Sequence, residues 1–199
     1  MATDVVSAWH RLRGWIATNA PEWDQPTWPS GATQHELLEV EQNLGLILPE
    51  DFKEFYSVHN GTGSFFLPRS GPLLPLRQIM KTRREHIKLE NHPDKKVETR
   101  TLGIKPIWYS RKRLRINGEW PEQMLDLDPS PEGTYGQIIQ IDKYAGPNEI
   151  VASGFGDLIR NLADVADAGG LDEELEEYRA MMKAFKDTEG LIPRYQVDE

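Results

Sequence analysis

Val5, Trp9, Leu12 and Ile16 recur at helical spacing, which predicts an amphipathic helix that starts near Val5 and ends near Asn19. The following "APEWDQPTWPSG" (20–31) is rich in Pro and Trp and reads as a loop that packs its aromatics on the body. Thr33 followed by Glu36 is a capping-box pair, and Leu37, Val40 and Leu44 form the apolar stripe of a second helix that Gly45 stops. Pro49, Glu50 and Asp51 suit the first turn of a third helix, where a missing N–H is harmless and negative charge meets the positive end of the dipole. Phe52, Phe55, Tyr56 and His59 share one face of it, and Asn60-Gly61 is expected to supply a left-handed C-cap.

Beyond Gly61 the period changes. "LLPLRQIMKTRREHIKLE" (73–90) predicts a short apolar strand that runs into an amphipathic helix, and a polar linker covers 91–100. Short segments with β-branched or alternating apolar residues follow, separated by Gly, Pro and Asn: 104–110, 113–117, 124–128, 135–142 and 149–153. They predict successive antiparallel strands. Phe155, Leu158, Ile159, Leu162 and Val165 mark a closing helix, and "LDEELEEYRAMMKAF" (171–185) marks another in an acidic tail.

The chain has 199 residues and no cysteine, which excludes disulfides, thiolate nucleophiles and Cys-type zinc sites. A formal charge of −9 argues against general nucleic-acid or membrane binding. No run approaches the ~18 apolar residues of a membrane span, and "MATDVVSAWHRLRGW" lacks the apolar region of a signal peptide, so the expected compartment is the cytoplasm. Charge is polarised along the chain. Residues 77–115 hold 13 basic and 4 acidic residues, whereas 157–199 hold 12 acidic and 5 basic. Each segment has a simple reading as solvated helix faces, and each could also steer a charged partner.

Two separated blocks carry a resemblance. The first is Glu41, Leu44, Gly45, Leu48, Pro49, Asp51, Phe55 and Tyr56, ending in His59-Asn60-Gly61. The second is Trp120-Pro121, Leu125-Asp126-Leu127-Asp128-Pro129, then Gly136-Gln137-Ile138-Ile139 and "VASGF" (151–155). Together they resemble the SUKH superfamily, in its Smi/Knr cell-wall-assembly-regulator family, over roughly residues 33–168. The loop before "LDLDP" is shorter here, with "NGEWPEQM" (117–124) in place of the usual Gly/Asp-rich turn. The resemblance implies an α+β fold, with a mainly antiparallel curved sheet flanked by helices. To this the chain adds N- and C-terminal helical extensions: 1–32 packed on the body, a SUKH-like domain over 33–168, and an acidic helix and tail over 169–199. It also implies a non-enzymatic binding protein. Bacterial members look like immunity proteins encoded beside toxins, and fungal members act as regulatory adaptors.

Candidate chemistry is sparse. Asp126, Asp128 and Ser130 keep the spacing of a calcium loop, but Pro131 stands where the sharp-turn Gly belongs and Gln137 where the bidentate Glu belongs. Turn-holding hydrogen bonds are the expectation for these acids. His86 and His92 are six apart with no third ligand nearby and read as surface residues. His59 reads as a partner of its helix's last carbonyls rather than a general base, and Gly61-Thr62-Gly63 follows a helix, the wrong pole for a phosphate cradle. No catalytic residue, metal or cofactor is therefore expected. The expected partner is a cognate protein toxin with an intracellular target, whether nucleic acid or nucleotide. A regulatory protein partner is the alternative, and an enzyme using the basic segment on a phosphate-bearing molecule is a third class. Trp23, Trp28, Trp120 and Tyr135 are candidate anchors, each with the alternative of a loop aromatic tucked onto the body. Asp172, Glu173, Glu176 and Glu177 are candidate rim acids.

Overall fold

The computed structural model of the chain describes residues 5–21, 28–63, 65, 67–90, 97 and 101–187. Six helices and four strands lie among them in the order α1 (Val5–Asn19), α2 (Gln34–Leu44), α3 (Glu50–Val58), α4 (Leu76–Leu89), β1 (Arg113–Arg115), β2 (Glu122–Asp126), β3 (Gln137–Asp142), β4 (Gly146–Ala152), α5 (Phe155–Asp167) and α6 (Asp172–Asp187). The strands form one open antiparallel sheet in sequence order, β1-β2-β3-β4. This is the expected α+β class with helical extensions.

Alternation along the strands separates two faces. Leu114, Ile116, Leu125, Leu127, Ile138 and Ala152 join the main core, where α1, α3 and α5 meet. Aromatic rings hold these helices together. Trp9 of α1 stands edge-on to Phe55 of α3 at 5.3 Å, and Phe55 lies 5.1 Å from Phe155 of α5. The N-terminal helix thus shares the main core, with Val5, Ala8, Trp9, Leu12 and Ile16 all buried.

Sequence signals at the helix ends do specific work. Thr33 and Glu36 make the reciprocal capping box, and Gly45 closes α2 with φ 65°. Glu41 accepts from the Leu48 N–H at 2.9 Å and so fixes the turn into α3. Asp51 is buried between two helix starts. One carboxylate oxygen accepts from Phe52 N at 2.8 Å and the other from Gly156 N at 2.7 Å. The cap that Gly154 cannot give α5 therefore comes from α3, 105 residues away in sequence.

Four expectations need correction. Residues 104–110 form no strand: Pro106 has no N–H, and the Lys105 and Ile107 carbonyls turn inward to accept from Arg113. The apolar run at 73–75 contributes one bridge, Leu73 to Asn117, with Leu74 N donating to Ile116 O at 2.8 Å. The end of α3 is not a left-handed cap, because His59 is extended at φ −140° and ψ 120°. Gly61, at φ 82°, instead allows close backbone approach; a Cβ there would lie 2.7 Å from Leu73 O. Asn60 caps the next helix, accepting from Leu76 N at 2.8 Å. The His59 ring takes the Pro29 carbonyl at 2.8 Å, so it serves the preceding loop and not its own helix end.

Phe55 is fully buried among Trp9, Tyr56 and Phe155. Phe55→Ala is expected to cost about 3–5 kcal/mol in denaturant melts. A loss under about 1 kcal/mol would contradict this packing.

Candidate partner-binding surface

The second face of the sheet is built around charge. Arg113 and Asp126, opposite each other on β1 and β2, are 1% and 0% exposed at the side chain and pair at 3.2 Å. The Arg113 guanidinium also donates to the Ile107 and Lys105 carbonyls, which folds 104–110 over the sheet. Ile104, Trp108 and Tyr109 then pack on Met124, Ile139 and Ile141 as a second, smaller core. Gln137 extends the network. Its amide nitrogen donates to Gly103 O at 2.8 Å and to Asp126 at 3.3 Å, while its oxygen accepts from Thr134 N at 2.9 Å. The loops 101–110 and 129–136 are therefore set by one buried polar cluster.

That cluster answers the calcium question locally. Asp126 accepts from Arg113, Gln137 and the Asp128 N–H, as expected of a turn-holding acid. Burial raises the Asp128 carboxyl, but Lys105 at 2.7 Å and Lys112 at 3.7 Å outweigh it and hold the group below its usual range. Among the described residues no cluster of His, Asp and Glu could hold a metal ion.

His86 is not a surface residue; it lies buried beneath the same loop, and His92 falls outside the described residues. The His86 ring stacks on Tyr109 at 4.1 Å, 3.9 Å from a Glu122 carboxylate that already pairs with Arg115 at 2.8 Å. Burial, and then the Arg115 charge, push the imidazole down to about 4. Burial and the Glu122 carboxylate push the Tyr109 phenol up to about 12. Tyr56, which burial also shifts upward, donates to Leu74 O at 2.8 Å.

The expected anchors divide between the ends of the sheet. Trp120 precedes β2, is 49% exposed, and lies under the Arg115 guanidinium at 6.0 Å. Tyr135 precedes β3, is 47% exposed, and donates to Ile47 O at 2.6 Å. Because Glu122 faces Ile141 and Asp126 faces Gln137, the two aromatics are separated by at least four residues of strand, roughly 13 Å. Trp28 is tucked onto the body, half-buried 5.2 Å from Trp9 with Arg13 over its ring at 4.6 Å. Trp23 lies outside the described residues. Asp172, Glu173, Glu176 and Glu177 are exposed on α6, which Arg69 fastens through Glu174 at 2.6 Å. Arg69 O in turn accepts from Gln123, so the acids and Trp120 flank one turn while Tyr135 stands apart.

The described residues of the basic segment do not form one surface. Arg113 and Arg115 serve the buried network, Arg111 pairs with Glu90 at 2.8 Å, and Lys105 and Lys112 share Asp128. Arg77, Lys81, Arg84 and Lys88 remain as an exposed stripe on α4. Sequence reasoning passed over Leu38, Ile47, Leu102, Tyr144 and Ile150, which are large apolar side chains left exposed. Their residue types match the core's, so only the fold distinguishes them.

The SMI1 / KNR4 family (SUKH-1) model matches residues 31–161. The chain belongs to this family. The match takes in both sequence blocks, which the fold joins where Tyr135 meets Ile47 and where Gly136 packs on Pro49. Family membership suggests an immunity-protein or Smi1-like regulatory role, and a protein partner. No curated protein matches the sequence. No helix among the described residues is long and apolar enough to cross a membrane.

The buried imidazole gives a pH prediction. Unfolded chain protonates His86 from about pH 6.5 downward, and folded chain only near pH 4. Stability from this site is complete above about pH 6.5 and is lost as pH falls toward 4, by up to about 3 kcal/mol. His86→Phe, which keeps the ring stack, should flatten urea-midpoint slopes across that window relative to wild type. Parallel slopes would contradict the buried neutral imidazole.

Proposed function

We propose that this protein is a cytoplasmic, non-enzymatic binding protein of the immunity type, which neutralises a cognate protein toxin by covering its active site. Membership of the SMI1 / KNR4 family across residues 31–161 carries this reading. The disposition of the reactive side chains supports it. Tyr56, His59, His86, Tyr109 and Asp126 are each engaged in packing, in an ion pair or in holding backbone. The toxin would act inside the cell, on nucleic acid or nucleotides, since that is where a cytoplasmic protein gives protection. A regulatory adaptor that binds a cellular protein is the second reading, and the same family membership favours it.

Exposed aromatics would supply the anchors, and the two ends of the sheet offer them as alternatives, Tyr135 at one and Trp120 at the other, with Trp23 retained as a third candidate. Trp28 contributes at most its exposed edge, given its packing on Trp9. Asp172, Glu173, Glu176 and Glu177 would form the rim of an interface at the Trp120 end, where charge mainly alters association rate and salt dependence.

A toxin gene beside this one distinguishes immunity from adaptor function. Titrating that toxin domain with the purified protein tests the mechanism. Residual toxin activity should fall linearly and reach zero near one equivalent. Complete protection by a small fraction of an equivalent would mean turnover and would contradict a binding mechanism.

A further inference from the structure

Seven large apolar side chains are exposed among the described residues, and four of them converge at one corner. Ile47, 72% exposed in the turn between α2 and α3, receives the Tyr135 hydroxyl on its carbonyl at 2.6 Å. Two residues before Tyr135, Gly133 presses on Gly103, where a Cβ would stand 2.2 Å from Gly103 O. Leu102, 80% exposed, is the neighbour of Gly103, and the position of a Cβ on Gly103 lies 2.9 Å from the Ile150 Cδ1. The backbone that carries Ile47, Tyr135, Leu102 and Ile150 therefore adjoins at one corner, and these exposed side chains form an apolar ridge over the α2–α3 turn, two loops and the edge strand β4. Isolated surface apolars need no explanation, but a contiguous set rimmed by charge marks an interaction surface.

The rim carries a sign. Among the described residues, Glu41, Glu50, Asp128 and Glu132 lie in or beside the turn and loops that carry the ridge, and Glu149 adjoins Ile150 on the edge strand with its side chain on the other face, against three lysines. Each lysine is already within 4 Å of one of those carboxylates: Lys53 on Glu50 at 2.9 Å, Lys105 on Asp128 at 2.7 Å, and Lys112 on Asp128 at 3.7 Å. Glu132 and Glu149 have no basic partner within 4 Å among the described residues, and both are exposed. Two of its loops are also pinned. Gln137 and Arg113 hold the loops beneath it from the buried side, so little side-chain and loop ordering is left for binding to impose.

We infer that the Ile47–Tyr135–Leu102–Ile150 ridge is the docking surface, and that its occupant is a protein whose apolar centre is bordered by lysine or arginine. This rests on the reading of the chain as a binding protein, and selects the Tyr135 end of the sheet over the Trp120 end. The apolar ridge supplies the desolvated centre, Glu132 orients the basic rim, and Glu149 on the edge strand adds to the field that steers it.

The probe is the toxin domain encoded beside the gene, with affinity and association rate measured at low and high salt. Ile47→Asp and Leu102→Asp should each weaken binding at least tenfold, while their melting temperatures stay at the wild-type value because both side chains are already in water. Glu132→Lys with Glu149→Lys should slow association several-fold at low salt and change it little at high salt. Trp120→Ala and Glu173→Lys with Glu177→Lys should alter affinity less than threefold. Ridge variants that bind like wild type, or a loss confined to the Trp120 and α6 variants, would overturn the surface while leaving the binding function intact. Failure of the wild-type protein to bind would remove both. A wild-type dimer in sedimentation that Leu102→Asp turns into monomer would assign the ridge to a second copy and overturn the inference.

Discussion

The buried pair of Arg113 and Asp126 is the interaction on which the second face of the sheet and its covering loops depend. Two charges with side chains 1% and 0% exposed gain little net stability from each other, because desolvation offsets most of the attraction. Their effect is one of arrangement. Once Arg113 has Asp126 on one side, its remaining donors are satisfied by the Lys105 and Ile107 carbonyls, and no regular strand can form there. Asp126 in turn takes Gln137 and the Asp128 N–H. Removing either charge would leave the other buried and unpaired, a far larger penalty than the pair's net worth, so both loops are committed to one geometry. Leu102 and Tyr135 are exposed on the outer side of that geometry.

The same logic of borrowed caps joins the helical half. Asp51 serves its own helix and α5, Asn60 serves α4, and Glu41 fixes the turn into α3. Each polar residue of the first sequence block thus ties together backbone from two elements. The aromatic faces of α1, α3 and α5 fill the space between these ties. The acids and histidine that gave this block the look of chemistry are occupied in holding backbone.

Much of this was legible in the chain. Spacing alone placed all six helices, and the capping pair at Thr33 and Glu36 gave the start of α2. Four of the predicted strands are present, since their alternation reflects two packed faces. Local rules failed where a distant partner won. The segment 104–110 has strand composition, but Arg113 claims its carbonyls. His86 sits in a charge-rich helix that looks solvated, yet the covering loop buries it against Tyr109. The basic run read as solvated helix faces that could also steer a partner, and among its described residues tertiary pairing divides it between a buried network, surface ion pairs and a stripe on α4. The candidate surface was legible only in part. Tyr135 and Trp120 could be named as aromatics without an obvious core position, whereas Ile47, Leu102 and Ile150 have core-type side chains whose exposure only the fold reveals.

The central claim is that an acid-rimmed apolar corner, held from beneath by Arg113, Asp126 and Gln137, receives a protein partner. Amide hydrogen exchange of the protein alone and in complex with the cognate toxin domain that the proposed function calls for tests that claim most directly. The account predicts new protection confined to the α2–α3 turn, the loops at 101–104 and 129–136, and β4, with α4 and α6 unchanged. Protection concentrated on α6 and the Trp120 turn, or on the basic stripe of α4, would contradict it.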